Sequence, residues 1–343
     1  MTRHIHGWTR LSLVAALAVG LAACNQDAPS PIEPAGPGLT LSKAPGSAGL
    51  VADLSRMLDD ANRALAADGA PYRVLKVETI SGSPDEVGVE VLWKDVGNKR
   101  LANDFVPGDL RRALGSPEGG WSPDPNRMTY AIDPVQGATA NGVGAATTSA
   151  EIRSAMETWD DAVCSNLNIT ELPAAGDIGF VAWILSGGAV GSLDGFGDIH
   201  HAGWQQIEFG GGTVAATFTI IWVDGITGVP TDIDGDGRID VAFREIYYDA
   251  VCDACAPPAL WTWEVDNGIN DPGPDIDIQS IALHEAGHGL SQAHFGTGFF
   301  TPTGQLKLTS NSVMAAAYVF PTIDLQGSDI GGHCANWGSW PNN

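Results

Sequence analysis

The pentapeptide His284-Glu285-Ala286-Gly287-His288 lies inside the apolar stretch Ile278–Leu290, whose pattern predicts a helix. Residues four positions apart share one face of a helix, so the imidazoles of His284 and His288 can bind a single ion. Glu285 points beside that ion rather than at it, where a carboxylate can accept a proton from a bound water. The spacing therefore predicts a zinc-binding helix with Glu285 as the catalytic base.

His294 is the candidate for a third zinc ligand, because it follows His288 closely enough to reach the ion once the helix turns away. Three protein ligands and one open position are typical of catalytic zinc, whereas structural zinc has four protein ligands. Zinc lowers the pKa of its bound water to roughly 7, so hydroxide is available at neutral pH. Glu285 would take the proton from this water and pass it to a leaving amine. The alternative for the pentapeptide alone is an ordinary helix with two exposed histidines.

Met314 lies downstream in Ser312-Val313-Met314, at a distance that lets a loop return beneath the metal. With the histidine helix and His294, it resembles the metzincin pattern HExxHxxGxxH followed by a Met-turn. Tyr318 matches the tyrosine that the matrixin branch of this family places in the wall of the S1′ pocket. The other matrixin-like residues belong to the first and the last helix of that branch: Thr148–Cys164 with Trp159, and Asp329, Ile330, Gly332, Trp337 and Gly338.

The resemblance covers about residues 120–343. It implies an α+β fold, namely a metzincin-like twisted mixed β-sheet with an active-site helix and a C-terminal helix. It also implies a zinc endopeptidase that hydrolyses extended protein or peptide substrates. Such substrates add a strand to the edge of a sheet, and the candidate edges are Glu245–Asp249 and Leu260–Trp263.

Two residues depart from the family pattern. Ser291 stands where the long motif has glycine, and a left-handed serine costs about 1 kcal/mol more than glycine. A downstream carboxylate is therefore the alternative to His294 as the third zinc ligand. Ala316 replaces the matrixin proline two residues after the methionine, and it also excludes an astacin-type tyrosine ligand at that position.

The segment Asp232–Asp240 has carboxylates at loop positions one, three, five and nine and a glycine at position six. This spacing lets a tight turn wrap oxygen ligands around a hard cation, as in EF-hand-like loops. Position twelve is Phe243, so a full EF-hand is excluded. A solvated turn is the alternative, although clustered carboxylates without a cation repel one another. We expect a structural calcium ion held by Asp232, Asp234, Asp236 and Asp240.

Two further polar clusters are assigned no metal. The first cluster consists of Asp266, Asp271, Asp275 and Asp277, and its irregular spacing favours turn and capping roles. The second is the pair His200 and His201, in a glycine-rich segment similar to one that carries a structural zinc in matrixins. A lone histidine pair of this kind is more often without a metal.

Residues 1–23 have a positive n-region and a short apolar run, which is typical of a signal peptide. The run ends in Leu21-Ala22-Ala23-Cys24, which resembles the bacterial lipobox; an ordinary signal followed by a chance cysteine is the alternative. In bacterial lipoproteins, an asparagine directly after the lipobox cysteine, here Asn25, favours sorting to the outer membrane. We therefore expect an exported lipoprotein on the periplasmic side or at the cell surface, held by lipid on Cys24 and a proline-rich tether over 24–49.

Residues 50–118 are predicted to form a small α+β module, with a helix at Leu50–Ala67 and strands at Tyr72–Ile80 and Val87–Trp93. The turn-rich stretch Gly115–Asn126 separates it from a metallopeptidase domain over 120–343. One hypothesis is that the module is an inhibitory prosegment. It has no matrixin-type cysteine switch, because no cysteine lies between Cys24 and Cys164.

Within the larger domain, Thr148 and Glu151 form a sequence capping box for the first helix. Strand-like runs are predicted at Met128–Ile132, Ile178–Leu185, Val214–Val223 and Glu245–Tyr248. Four cysteines outside the lipobox suggest two disulfides in an exported chain. Cys252 and Cys255 are predicted to pair locally, with a redox pair or half a zinc knuckle as alternatives. Cys164 and Cys334 then form the long-range link.

The chain of 343 residues has a net charge of −24, from 17 basic and 41 acidic side chains. A polyanion would be repelled by such a surface, so a nucleic-acid partner is excluded. The 11 Trp, 5 Tyr and 10 Phe residues exclude a disordered acidic tail and predict a packed core. We expect a monomer that contacts a membrane only through its lipid anchor. A non-catalytic surface-binding lipoprotein on a degenerate protease fold is the alternative function.

Overall fold

The computed structural model describes residues 47–82, 87–93, 103–105, 127–194, 197–204, 207, 209, 212–249, 262–265, 275–295, 298–300, 306–308, 312–318 and 320–340. The helices are α1 (Ser47–Ala67), α2 (Ala145–Asp160), α3 (Phe180–Ser186), α4 (Ile278–Gly289) and α5 (Gly327–Trp337). The strands are β1 (Tyr72–Ser81), β2 (Glu90–Leu92), β3 (Asn103–Asp104), β4 (Arg127–Ile132), β5 (Asn168–Glu171), β6 (Ile199–Trp204), β7 (Thr213–Trp222), β8 (Ile239–Tyr248), β9 (Trp263–Glu264), β10 (Ile276–Asp277), β11 (Gly298–Phe300) and β12 (Leu306–Leu308). The fold is therefore mixed α+β, as the sequence predicted.

Seven strands form one mixed sheet in the order β2-β1-β7-β8-β6-β4-β5, and β3 pairs with β8 outside this path. The strands β8, β6, β4 and β5 run parallel to one another. In contrast, β7 is antiparallel to both β8 and β1, and β1 is antiparallel to β2. Every residue of β7 and β8 is buried, which explains why their sequences read as apolar runs.

The apolar core has two main parts. The first contains Trp159 of α2, Leu283 of α4 and Trp337 of α5 together with strand residues. The second contains Leu54 of α1 and Phe180 of α3, again with strand residues. The indole of Trp159 donates a hydrogen bond of 2.8 Å to the carbonyl of Leu283, which fixes α4 against α2.

The predicted boundary between a module at 50–118 and a second domain is corrected by the sheet. Along the whole of β1, Tyr72–Ser81 pairs with Trp222–Thr213 of β7, so both predicted units share one sheet. The apolar alternation of a strand predicts that it has a buried face but not which strand it pairs with. α1 begins at Ser47, before the predicted start at Leu50, and the turn-rich stretch 115–126 lies outside the described residues.

Two local predictions are also wrong. The segment predicted as a strand at Ile178–Leu185 forms α3, because Glu245 accepts hydrogen bonds from the first helical N–H groups, those of Phe180 and Val181. Thr148 lies inside the first turns of α2 and donates to the carbonyl of Gly137, so it is not the N-cap. Short apolar runs and capping pairs fit more than one local structure until tertiary partners are known.

The disulfide between Cys164 and Cys334 is confirmed, with Cα atoms 5.5 Å apart. It joins the chain just after α2 to α5. Cys252, Cys255 and the predicted leader with Cys24 lie outside the described residues. Among the residues that the structure describes, no helix has the length and apolar character needed to cross a membrane.

Candidate metal centre

The helix α4 carries the predicted zinc motif and is buried over its length except at Gln279. Asp277 is its N-cap, as predicted, and accepts a hydrogen bond of 2.7 Å from the backbone N–H of Ser280. The helix packs against α2 on one side and against β7 and β8 on the other. The burial leaves the histidine face directed into the protein interior.

The tautomers of the two helix histidines follow from their hydrogen bonds. Nδ1 of His284 lies 2.7 Å from the carbonyl of Val313, and Nδ1 of His288 lies 2.8 Å from the carbonyl of Gln292. A carbonyl only accepts, so Nδ1 carries the proton in each ring and Nε2 carries a lone pair. The two Nε2 atoms are 3.1 Å apart.

Burial keeps these rings neutral. It lowers the pKa of His284 to about 4, and burial followed by the charge of His284 lowers the pKa of His288 well below its usual range. Two lone pairs that face each other at hydrogen-bond distance repel one another unless a cation lies between them. The arrangement therefore fits a metal ion bound through Nε2 of both rings.

His294 completes the group. One ligand nitrogen from each of His284, His288 and His294 lies within 4.8 Å of the others. Nε2 of His294 is buried and has no hydrogen-bond partner among the described residues. Tetrahedral zinc with bonds of roughly 2.0–2.1 Å needs ligand nitrogens about 3.3 Å apart. The Nε2 atoms of His284 and His288 are close to this spacing, and a ligand nitrogen of His294 lies within 4.8 Å of the other two ligand atoms. The three residues could therefore hold a metal ion, and zinc stays the predicted metal.

Ser291 explains how His294 reaches the group. Its φ is 68°, and it is the one non-glycine residue with positive φ in the described part of the chain. The left-handed turn follows the end of α4, and Asn336 of α5 donates to the carbonyl of Ser291 at 3.1 Å. The sequence identified this position as a departure from glycine, and the structure places the left-handed residue there.

Glu285 is fully buried beside the histidines. Its Oε2 accepts a hydrogen bond of 2.5 Å from the hydroxyl of Thr217 on β7, whereas Oε1 has no hydrogen-bond partner among the described residues. Burial raises the pKa of Glu285 well above its usual range; the Thr217 bond opposes this and the charge of Glu78 adds to it. A carboxyl with a raised pKa can take up and release a proton near neutral pH.

Met314 lies directly beneath α4. A Cβ added to Gly287 would lie 2.2 Å from Sδ of Met314, so a glycine is needed for the close approach. The carboxylate of Asp329 on α5 accepts from the N–H of Val313 at 3.0 Å, the N–H of Met314 at 3.2 Å, and the hydroxyl of Ser312. Asp329 therefore holds the turn that forms the floor of the site.

Thr217 and Asp329 were missed as site residues. Thr217 is a polar position inside an apolar strand, and alternation alone does not tell which helix it faces. Asp329 had a signal, because Gln326 and Asp329 form a capping box at the start of α5. That signal predicts a helix start and not a contact with Met314.

Tyr318 lies beside the N-terminus of α4. Its hydroxyl accepts a hydrogen bond of 3.2 Å from the N–H of Asp277, and its own N–H donates to the carbonyl of Ser81 at 2.8 Å. The prediction of an edge strand at Glu245–Asp249 is wrong, because β8 is paired with β7 on one side and with β6 on the other. The prediction at Leu260–Trp263 stays a prediction: Trp263 pairs with β10 in a two-stranded sheet, and residues 260 and 261 lie outside the described residues. The strand that meets Glu285 is β7, through Thr217.

The acidic loop between β7 and β8 brings three of its four predicted ligands together. Carboxylate oxygens of Asp232, Asp234 and Asp236 lie within 4.8 Å of one another. Asp240 is buried, and both of its carboxylate oxygens accept from the N–H of Ile233, at 3.1 and 3.2 Å. Asp240 thus closes the loop and does not join the other three carboxylates.

His200 and His201 are buried in β6, and neither belongs to a metal-binding group among the described residues. Nδ1 of His201 lies 2.8 Å from the hydroxyl of Tyr248. Asp275 accepts from the hydroxyl of Thr262, while Asp266 and Asp271 lie outside the described residues.

No family model matches the chain, and no curated protein matches its sequence. What supports a function is therefore the geometry of the site itself.

Proposed function

We propose that the chain is a zinc-dependent endopeptidase of the metzincin type, similar to matrixins. The observation that carries the proposal is the convergence of three neutral imidazoles beside a buried, hydrogen-bonded glutamate. Zinc sites with three histidines and one open position are catalytic in character. The turn at Ser291 and the position of Met314 beneath α4 support the family assignment.

The residues divide the work. His284, His288 and His294 would hold the ion, and zinc bound there supplies a Lewis acid that polarises a carbonyl and acidifies water. Oε1 of Glu285 has no hydrogen-bond partner among the described residues and is the atom that accepts and returns the proton. Thr217 holds the other oxygen and so sets the direction of the carboxylate. Met314 and Asp329 keep the floor of the site in place.

A structural calcium ion in the Asp232–Asp240 loop is part of the proposal. Three converging carboxylates repel one another, and a divalent cation would remove that repulsion. Calcium at 1 mM is expected to raise the thermal midpoint of the protein, and Asp234→Asn is expected to reduce the rise. Equal midpoints with calcium and with a chelator specific for calcium would contradict the calcium assignment.

We further propose that the protein is exported and carried as a monomeric lipoprotein anchored through Cys24. The disulfide Cys164–Cys334 supports an oxidising compartment. Mass spectrometry of the mature N-terminus tests the anchor. A mature chain that begins at Cys24 and carries a diacylglyceryl group is expected. A mature chain that begins with an unmodified residue upstream of Cys24 would contradict the lipid anchor.

The second candidate function is a non-catalytic surface-binding protein on the same fold. It is favoured by burial, because Glu285 and His288 have no exposed surface and His284 is 1% exposed. Against it stands Glu285, since a scaffold needs no base beside a metal.

Zinc content and peptide hydrolysis, measured together, separate the two functions. The proposal predicts about one zinc per chain and cleavage of casein that a peptide hydroxamate blocks. His294→Ala should lose most of the zinc, while His333→Gln, a buried histidine outside the site, should retain it. Full zinc content in His294→Ala would place the third ligand elsewhere, and zinc without any hydrolysis would favour the scaffold.

A further inference from the structure

The end of α4 leaves four consecutive carbonyl groups, those of residues 289–292, for donors from other parts of the chain. The backbone N–H groups of residues 290–292 donate to the carbonyls of residues 286–288, which completes the helical hydrogen bonding. The carbonyls that follow have no helical partner. Each of the four accepts a hydrogen bond from a side chain instead. One of these donors is Nδ1 of His288, and the other three come from β8 and α5.

Arg244 of β8 holds the first of the four carbonyls. Its Nη1 donates to the carbonyl of Gly289 at 3.0 Å, and its Nε donates to the hydroxyl of Thr219 at 3.2 Å. The side chain is buried, and its guanidinium lies 5.2 Å from the ring centroid of Phe105. A cation at the C-terminus of a helix lies at the negative end of the helix dipole. Arg244 therefore fixes the end of α4 by its charge as well as by a hydrogen bond.

Two neighbouring residues of α5 hold the next two carbonyls. Nε1 of Trp337 donates to the carbonyl of Leu290 at 2.8 Å, and Nδ2 of Asn336 donates to the carbonyl of Ser291 at 3.1 Å. The same helix holds the turn at Met314 beneath α4. One helix therefore sets both the floor of the site and the turn by which the chain leaves α4.

Ser291 is the residue that needs these two donors. Its φ of 68° is strained for serine, and such a conformation persists only where the surrounding structure enforces it. Its own hydroxyl is buried without a hydrogen-bond partner among the described residues, so its side chain does not enforce the turn. The carbonyls of Leu290 and Ser291 belong to the planar peptide groups before and after Cα of Ser291. Holding both carbonyls therefore sets the φ and ψ of this residue.

From this geometry we propose that Trp337 and Asn336 are positioning residues for the third zinc ligand, an inference that rests on the proposed zinc-dependent function. The other two histidine ligands are placed by α4 itself. His294 lies beyond the end of this helix, so its position depends on the direction in which the chain leaves Ser291. A rotation of either peptide group would move His294 away from the other two rings.

A pair of tryptophan variants tests this role. Trp337→Phe removes the indole N–H and keeps an aromatic ring in the core. Trp340→Phe is the matched control, because Trp340 is buried with its ring centroid 5.2 Å from that of Trp337, and its Nε1 has no hydrogen-bond partner among the described residues. Zinc affinity is measured by competition with a chromophoric chelator. The visible spectrum of the cobalt(II) form reports the ligand geometry, and urea unfolding of the metal-free protein reports stability.

Trp337→Phe should weaken zinc affinity about tenfold, the effect of removing an outer-shell hydrogen bond, and should change the cobalt spectrum. Trp340→Phe should keep both at the wild-type values, whatever its stability. Equal zinc affinity and equal cobalt spectra in the two variants would overturn the positioning role and leave the proposed function intact. A wild-type protein that binds no zinc would instead contradict the proposed function, and the positioning role with it.

A double-mutant cycle tests whether Asn336 acts through Ser291. Asn336→Leu should weaken zinc affinity about tenfold. The matched control Asn141→Leu removes an asparagine hydrogen bond of 2.8 Å to a carbonyl of β9 and should leave zinc affinity unchanged. Glycine adopts a positive φ without strain, so adding Ser291→Gly should recover most of the affinity lost in Asn336→Leu. An equal loss from Asn336→Leu with and without Ser291→Gly would overturn a role through the left-handed turn.

Discussion

The hydroxyl of Thr217 on β7 donates a hydrogen bond of 2.5 Å to Oε2 of Glu285 on α4. This contact connects β7 with the proposed catalytic base. It leaves Oε1 of Glu285 without a hydrogen-bond partner among the described residues. The direction in which the base points therefore depends on a residue of the sheet.

Replacing Thr217 by valine removes this hydrogen bond at nearly constant volume. A hydrogen bond to a charged group contributes about 1.5 kcal/mol or more, so kcat should fall at least about tenfold while zinc content stays the same. The bond lowers the pKa of Glu285, so its loss should move the acidic limb of the rate profile to higher pH. Thr217→Ser should restore both values. An unchanged pH profile in Thr217→Val would argue against this positioning role.

Gly287 and Gly331 both lie in helices, and replacing them by alanine is expected to change the stability of the protein in opposite directions. A Cβ at Gly287 meets Sδ of Met314 at 2.2 Å, so Gly287→Ala should destabilise the fold by about 1–3 kcal/mol. A Cβ at the exposed Gly331 meets nothing within 4 Å, so Gly331→Ala should stabilise by about 0.5–1 kcal/mol. Urea unfolding measures both changes. A stable Gly287→Ala would mean that Met314 is not held beneath α4.

The protein is expected to be more stable with glycine in place of Ser291. Its φ of 68° is a conformation that costs an L-residue about 1 kcal/mol relative to glycine. Ser291→Gly should raise the free energy of unfolding by up to that amount, whereas Ser291→Val should lower it and weaken zinc binding. If Ser291→Gly lowered stability, the left-handed turn before His294 would be in question.

His201 should make the fold sensitive to acid. Burial, followed by the charge of His200, lowers the pKa of His201 to about 3, against about 6.5 in an unfolded chain. Because the folded pKa is depressed, the stability is present in full above pH 6.5 and is lost as the pH falls toward 3. Between pH 7.5 and 5 the loss amounts to about 2 kcal/mol. His201→Gln should show a correspondingly smaller pH dependence in urea unfolding, and an identical dependence would contradict a neutral, buried His201.

The local parts of the site could be predicted from the sequence because they depend on spacing along one helix. The positions of His284, Glu285 and His288 follow from helical periodicity, and Ser291 could be identified by comparison with a glycine pattern. The long-range disulfide followed once Cys252 and Cys255 were set aside as a local pair.

The remaining parts depend on which elements meet in space. Nothing in the alternation of β1 predicts that it pairs with β7, and so the position of Glu78 near His288 could not be predicted. The same limit applies to the edge strand. Glu245 lies in a strand run that looked suitable for substrate, yet its carboxylate holds the start of α3.

Glu285→Gln tests whether Glu285 is the catalytic base, because it keeps the shape of the side chain and removes its basicity. Zinc content and the rate of peptide hydrolysis are measured on the same preparation, with the peptide hydroxamate as the control for site-specific cleavage. We expect about one zinc per chain and a fall in hydrolysis of at least about a hundredfold. Hydrolysis at the wild-type rate in zinc-loaded Glu285→Gln would contradict it.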